Sequence, residues 1–217
     1  MAIHIIKEIG RLKKQMLVLS SLVEESVRKS IKSITELDAR LSQEVIEGDE
    51  RINALEIELE EECLKILALH QPVANDLRFI ITILKLNNGL ERIGDLSVNV
   101  AERVPLLKSH AVENVPEIFS SMGEKALEML NMSIDALVNL DPRLASKVRE
   151  ADEEVDNMNR EVYDWVKAQI LDTPEKVRSH LSFISIAKHI ERMADHSVEI
   201  AEDIIYMIDG HIVRHQD

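Results

Sequence analysis

The sequence predicts an all-α protein built as two tandem three-helix bundles. Three observations carry that reading: scarce turn and strand formers, long apolar stripes at helical spacing, and a run of polar residues that recurs at constant register. Hydrophobic residues make up 45% of the 217 and charged ones 30%, against 6 Gly, 5 Pro and 3% aromatics, a balance that favours long helices.

The helices follow in order. Leu12, Met16, Leu19, Val23, Val27, Ile31 and Ile34 keep the three-four spacing of a helix that buries one face and ends near Asp38. Val45, Ile52, Leu55, Leu59, Cys63 and Ile66 form a second, which stops before Pro72 because the ring disfavours a helical residue ahead of it. Ile80, Ile83, Leu86, Leu90 and Ile93 lead a third to Val104, where Pro105 is expected to close it. Leu106 to Pro116 reads as the linker, which places the first bundle at 1–108 and the second at 109–217. Ile118, Met122, Leu127, Leu130, Ile134 and Leu137 start the scheme again. Asp141-Pro142 and Thr173-Pro174 then read as an N-cap followed by a first-turn proline, and Gly210 as a C-terminal stop. Rods of roughly 25 to 35 residues joined by short connections become antiparallel neighbours.

The duplication is the most informative signal. At a constant spacing of 100 residues, Arg78, Glu91, Arg92, Asp95, Ser97, Val98, Ala101 and Glu102 recur as Arg178, Glu191, Arg192, Asp195, Ser197, Val198, Ala201 and Glu202. Most of these matches are polar or small, so packing periodicity does not generate them.

Composition also excludes functions. With 40 acidic against 26 basic residues the formal charge is -14, and no basic patch appears in the sequence to offset it, so a nucleic-acid partner is not expected. The single cysteine, Cys63, forbids an intrachain disulfide and reads as a small apolar helix residue. Charges interrupt Met1 to Leu19, so neither a secretory leader nor a membrane span is read there. The expected location is the cytoplasm, with membrane contact only through partners. There is no phosphate-cradling Gly loop and no nucleophile elbow, and no His has a Glu three positions before it, which disfavours a di-iron oxidase.

The chemistry lies in paired acids. Glu91 with Asp95, and Glu191 with Asp195, stand one turn apart on one helix face, about 6 Å between Cβ atoms. Arg92 and Arg192 turn about 100° from the first Glu and are poor partners for it. On the second helix of each bundle, Asp49 with Asn53 and Asp152 with Asp156 repeat the spacing. Acids so close repel one another, and a hard or borderline metal held by oxygens from neighbouring helices relieves the repulsion. A solvated acidic face is the plainer alternative. His196 reads as a surface or interhelical residue, Met16, Met122, Met129 and Met132 as core, and Tyr163 and Trp165 as bundle core or dimer anchors.

The segment Gln71-Pro72-Val73-Ala74-Asn75-Asp76-Leu77-Arg78, followed by Glu91-Arg92-Ile93-Gly94-Asp95, resembles the pattern of PhoU proteins, and the second Glu-Arg-x-x-Asp is similar to that family's second copy. The second repeat departs from the pattern at Asp172 to Val177 but keeps its Arg178. The resemblance implies a regulator of phosphate uptake and phosphate-starvation signalling. Its implied partners are the ATPase subunit of the phosphate ABC transporter and a phosphate-sensing histidine kinase. It also implies metal ions, iron or zinc being the candidates, on Glu91, Asp95, Glu191 and Asp195, with Asp49, Asp152 and Asp156 contributing. Asn53 in place of an acid leaves the first site thinner than the second. A homodimer is expected and no catalysis. The competing readings are a metal-dependent phosphate-ester hydrolase and a metal-storage protein.

Overall fold

The computed structural model describes residues 2–210, with side chains from Ile5 onward. Six long helices and one short one follow in chain order: α1 Ala2–Thr35, α2 Ala39–His70, α3 Ala74–Ala101, α4 Arg103–Ser109, α5 Ile118–Asn139, α6 Pro142–Asp172 and α7 Val177–Asp209. Among the described residues there is no strand. α5, at 22 residues, is shorter than the rods expected from the sequence.

Duplicated turns start the second helix of each bundle. Leu37 and Leu140 both take the left-handed conformation (φ 51°). Each is followed by an aspartate N-cap. Asp38 Oδ1 accepts from the backbone N–H groups of Arg40 and Leu41 at 2.8 and 3.2 Å, and Asp141 Oδ1 from those of Arg143 and Leu144 at 2.9 and 3.2 Å. Buried serines repeat in the same way. Ser30 and Ser133 donate to the carbonyls of Val27 and Leu130, and Ser97 and Ser197 to those of Ile93 and Met193. Gly210 (φ 73°) closes α7 by donating to the Tyr206 carbonyl.

Two local expectations need correction. Pro105 does not end helical structure: α3 stops at Ala101, and Pro105 falls in the first turn of α4, where a missing N–H leaves no acceptor unserved. The chain is therefore helical through Ser109, and the non-helical connection begins only at His110. Thr173 does not cap a helix either. Its hydroxyl donates to the Gln169 carbonyl and meets His180 Nε2 at 2.9 Å, while residues Pro174–Lys176 form a 3-10 turn before α7.

Each bundle packs its own three long helices together, and the bundles join along two seams, α1 against α5 and α3 against α7. One hydrophobic core runs through both bundles and includes the buried Cys63, Met16, Met122 and Met129. Small residues let the seams close. A Cβ on Gly123 of α5 would lie 2.6 Å from Ile31 of α1, and one on Gly89 of α3 would lie 3.1 Å from Ile200 of α7. Gly123→Leu is therefore expected to overpack the α1–α5 seam and cost about 1–3 kcal/mol of unfolding free energy. Urea denaturation measures this; a variant as stable as the parent would show that the seam yields freely.

Candidate functional site

The acids predicted from sequence gather into two separate clusters, one on each bundle. In the first, α2 supplies Asp49 and α3 supplies Glu91 and Asp95. Burial pushes the Asp49 carboxyl above its ordinary range, with Asp95 adding to the effect, while the Asn53 amide, donating at 2.9 Å, pulls the other way. Glu91 is raised by burial and then by Asp95, Glu56 and Asp49. Gly94 lets α2 approach, since a Cβ there would stand 3.3 Å from Ile52 and 3.5 Å from Asp49 Oδ1. Asp49 Oδ1 and Asn53 Oδ1 are buried acceptors without a hydrogen-bond partner.

In the second cluster α6 supplies Asp152 and Asp156, and α7 supplies Glu191 and Asp195. Asp152 is raised by burial, then by Asp156 and Glu191. Asp195 keeps contact with solvent at the rim, yet desolvation of its inner side, followed by Glu191 and Asp152, pushes it up to about 6 against the pull of Lys188. Lys188 Nζ holds the buried Glu191 carboxylate at 2.6 and 2.7 Å.

The sequence reading missed Glu56 and Asn159. The signal that finds them is the turn Leu-Asp-x-Arg-Leu, present as Leu37 to Leu41 and Leu140 to Leu144. Aligning α2 with α6 from their aspartate caps pairs Asp49 with Asp152, Asn53 with Asp156 and Glu56 with Asn159. Carboxylate and amide have changed places, so the first cluster is not short of acid. Each holds four carboxylates and one amide, and Glu56 is held by Asn87, whose Nδ2 donates to its carbonyl at 2.8 Å and its carboxylate at 3.2 Å. This alignment has a slightly longer spacing than that of α3 with α7, so the second repeat has three fewer residues between its paired positions on the second and third helices.

As the side chains stand, no group of three His, Cys, Asp or Glu among the described residues forms a ready coordination shell. The donor chemistry nevertheless suits a hard or borderline cation: all-oxygen ligands on facing helices, carboxylates whose burial and acidic neighbours raise their proton affinity, and an unpartnered carboxylate oxygen at Asp49. His196 is buried and directs Nδ1 to Glu199 at 2.8 Å. Tyr163 is exposed, whereas Trp165 stacks inside the second bundle.

A double helical bundle with an equivalent acidic cluster on each half defines a tandem-repeat helical protein. The family model described as the PhoU domain matches residues 16–104 and again 119–204. The chain belongs to the PhoU family. It is 36% identical over 97% of its length to a protein of Aquifex aeolicus named a phosphate-specific transport system accessory protein PhoU homolog, 95% of which is covered. The similarly named Escherichia coli protein is 29% identical over 96% of this chain and 86% of its own. The crystal structure of PhoU from Pseudomonas aeruginosa matches with a TM-score of 0.91 at 32% identity, covering 94% of this chain and 99% of that one. That of the phosphate transport system regulatory protein PhoU from Streptococcus pneumoniae matches with a TM-score of 0.85 at 28% identity, covering 96% and 99%.

Proposed function

We propose that this protein is a non-catalytic negative regulator of phosphate uptake and phosphate-starvation signalling. It acts in the cytoplasm as a homodimer, beside the ATPase subunit of a phosphate ABC transporter and a phosphate-sensing histidine kinase. The observation that carries the reading is the pair of matched carboxylate clusters, in a chain whose relatives are named as phosphate-transport accessory proteins. Among the described residues no helix is long and apolar enough to cross a membrane, so contact with a transporter runs through protein surfaces. Apolar side chains left exposed at the turns between long helices, Leu69 and Val73 on one bundle and Leu171 on the other, supply sticky ends for such contacts.

Asp49, Glu56, Glu91 and Asp95 would hold one metal site, and Asp152, Asp156, Glu191 and Asp195 the other. A bound cation supplies positive charge that lets these acids stay ionised side by side. The residues themselves do the positioning: Asn53 and Asn87 orient Asp49 and Glu56, and Lys188 holds Glu191 until a cation displaces it.

Deleting the gene is expected to leave phosphate-starvation genes switched on, and phosphate import unrestrained, in phosphate-rich medium. Labelled-phosphate uptake and a reporter for a starvation gene measure both. Wild-type values for the two in the deletion strain would end this reading.

A further inference from the structure

The duplicated arginines meet where the bundles join. α3 and α7 run antiparallel across their seam, since Gly89 faces Ile200, Lys85 Nζ bonds Asp203 Oδ1 at 3.0 Å, and Arg78 lies against Gly210. Arg92 and Arg192, which the helical register turns away from their neighbouring glutamates, therefore line one recess of about 380 Å³ together with Asn88, Asn99 and His196. Among the described residues neither guanidinium is held by a carboxylate at salt-bridge distance. Further along the seam Arg103 has a buried Nε with no hydrogen-bond partner.

The two ends of the seam differ in charge. The 100-residue register pairs Lys85 with Ser185 and Arg103 with Asp203. At one end Lys85 and Asp203 pair at 3.0 Å; at the other the antiparallel register places Ser185, not an acid, opposite Arg103. Three arginines thus share one stretch of a chain whose net charge is -14. Guanidinium forks match tetrahedral oxyanions bidentately, and neutral amides add donors at no charge.

We propose that this seam binds a phosphate-class oxyanion between Arg92 and Arg192, with Asn88 and Asn99 as neutral donors and Arg103 reinforcing the field. Only the choice of phosphate among oxyanions rests on the regulatory reading above; the arginine arrangement stands without it. Glu91 and Asp95 border the same recess and oppose an anion, so occupation of their cluster by a cation strengthens binding.

Calorimetric titration of the full chain with inorganic phosphate and with pyrophosphate, after chelation and again after zinc loading, tests this. Expected is saturable binding of one anion per chain, tighter with zinc. It should weaken at least tenfold in Arg92→Gln/Arg192→Gln and stay unchanged in Lys14→Gln, an exposed position on α1. Binding of pyrophosphate alone would assign the recess to a phosphorylated compound rather than to the free ion, with the same chemistry. Absence of saturable binding in both states, or equal affinity in the double arginine variant, overturns the proposal. Zinc content of each sample, read by elemental analysis, reports separately on the metal reading, so the two fail independently.

Discussion

Replacing Phe119 by Ala is expected to cost about 3–5 kcal/mol of unfolding free energy, at the upper end of what truncating a core side chain costs. Phe119 on α5 is 1% exposed, and its ring centroid lies 5.2 Å from that of Phe183 on α7. Phe183 in turn meets Trp165 of α6 edge-on at 5.4 Å. One aromatic cluster thus ties together all three long helices of the second bundle, and with aromatics at only 3% of the chain no neighbour can replace it. Aliphatic side chains flanking the gap leave a cavity rather than collapse into it, because they are fixed on rigid helices. Urea denaturation measures the loss. A cost below about 1 kcal/mol would show that the second bundle is held chiefly by its seams with the first.

The second large effect concerns the acids. The variant Glu91→Gln/Asp95→Asn/Glu191→Gln/Asp195→Asn is expected to bind less metal than the wild type when both are purified without chelator, while the chelated protein becomes more stable. The sign follows from linkage. Burial and acidic neighbours raise Asp195 from 3.8 to about 6, and Asp49, Glu91 and Asp152 shift in the same direction. Between those two values the folded protein binds more protons than the unfolded chain, so stability is greatest below the window and declines as pH rises through it. Chelated wild type should therefore melt at higher temperature at pH 5 than at pH 7.5, by at least about 2 °C, and the variant should lose that dependence. Metal loading should reverse the order, since protons compete with the cation for the same oxygens. Elemental analysis and thermal melts at the two pH values decide it. Unchanged metal content in the variant would remove these residues from any metal site, and a chelated wild type that melts lower at pH 5 would contradict the crowding.

Much of this was legible from residues alone, for identifiable reasons. The three-four apolar spacing of α1, from Leu12 to Ile34, maps directly onto buried side chains, because an amphipathic rod in water has one stable way to hide that stripe. The Asp141 cap and the Gly210 stop were likewise local, each needing only its own turn. Pro105 is ambiguous in the sequence because a proline marks either edge of a helix, and which edge depends on where the preceding residues leave their helical path. Glu56 escaped notice because its role depends on what α3 brings to it, and an acidic chain offers many candidates with the same spacing.

The sequence by itself determined the helical class, the doubling and the placement of paired acids on helix faces, since each follows from periodicities within a single segment. Tertiary structure alone decided that the two bundles share one core, that four carboxylates rather than three meet on the first bundle, and that the duplicated arginines converge at the α3–α7 seam. Those outcomes depend on the register in which one helix lies against another. That register is set by volume and close approach at residues such as Gly89, Gly94 and Gly123, whose effect exists only once two helices touch.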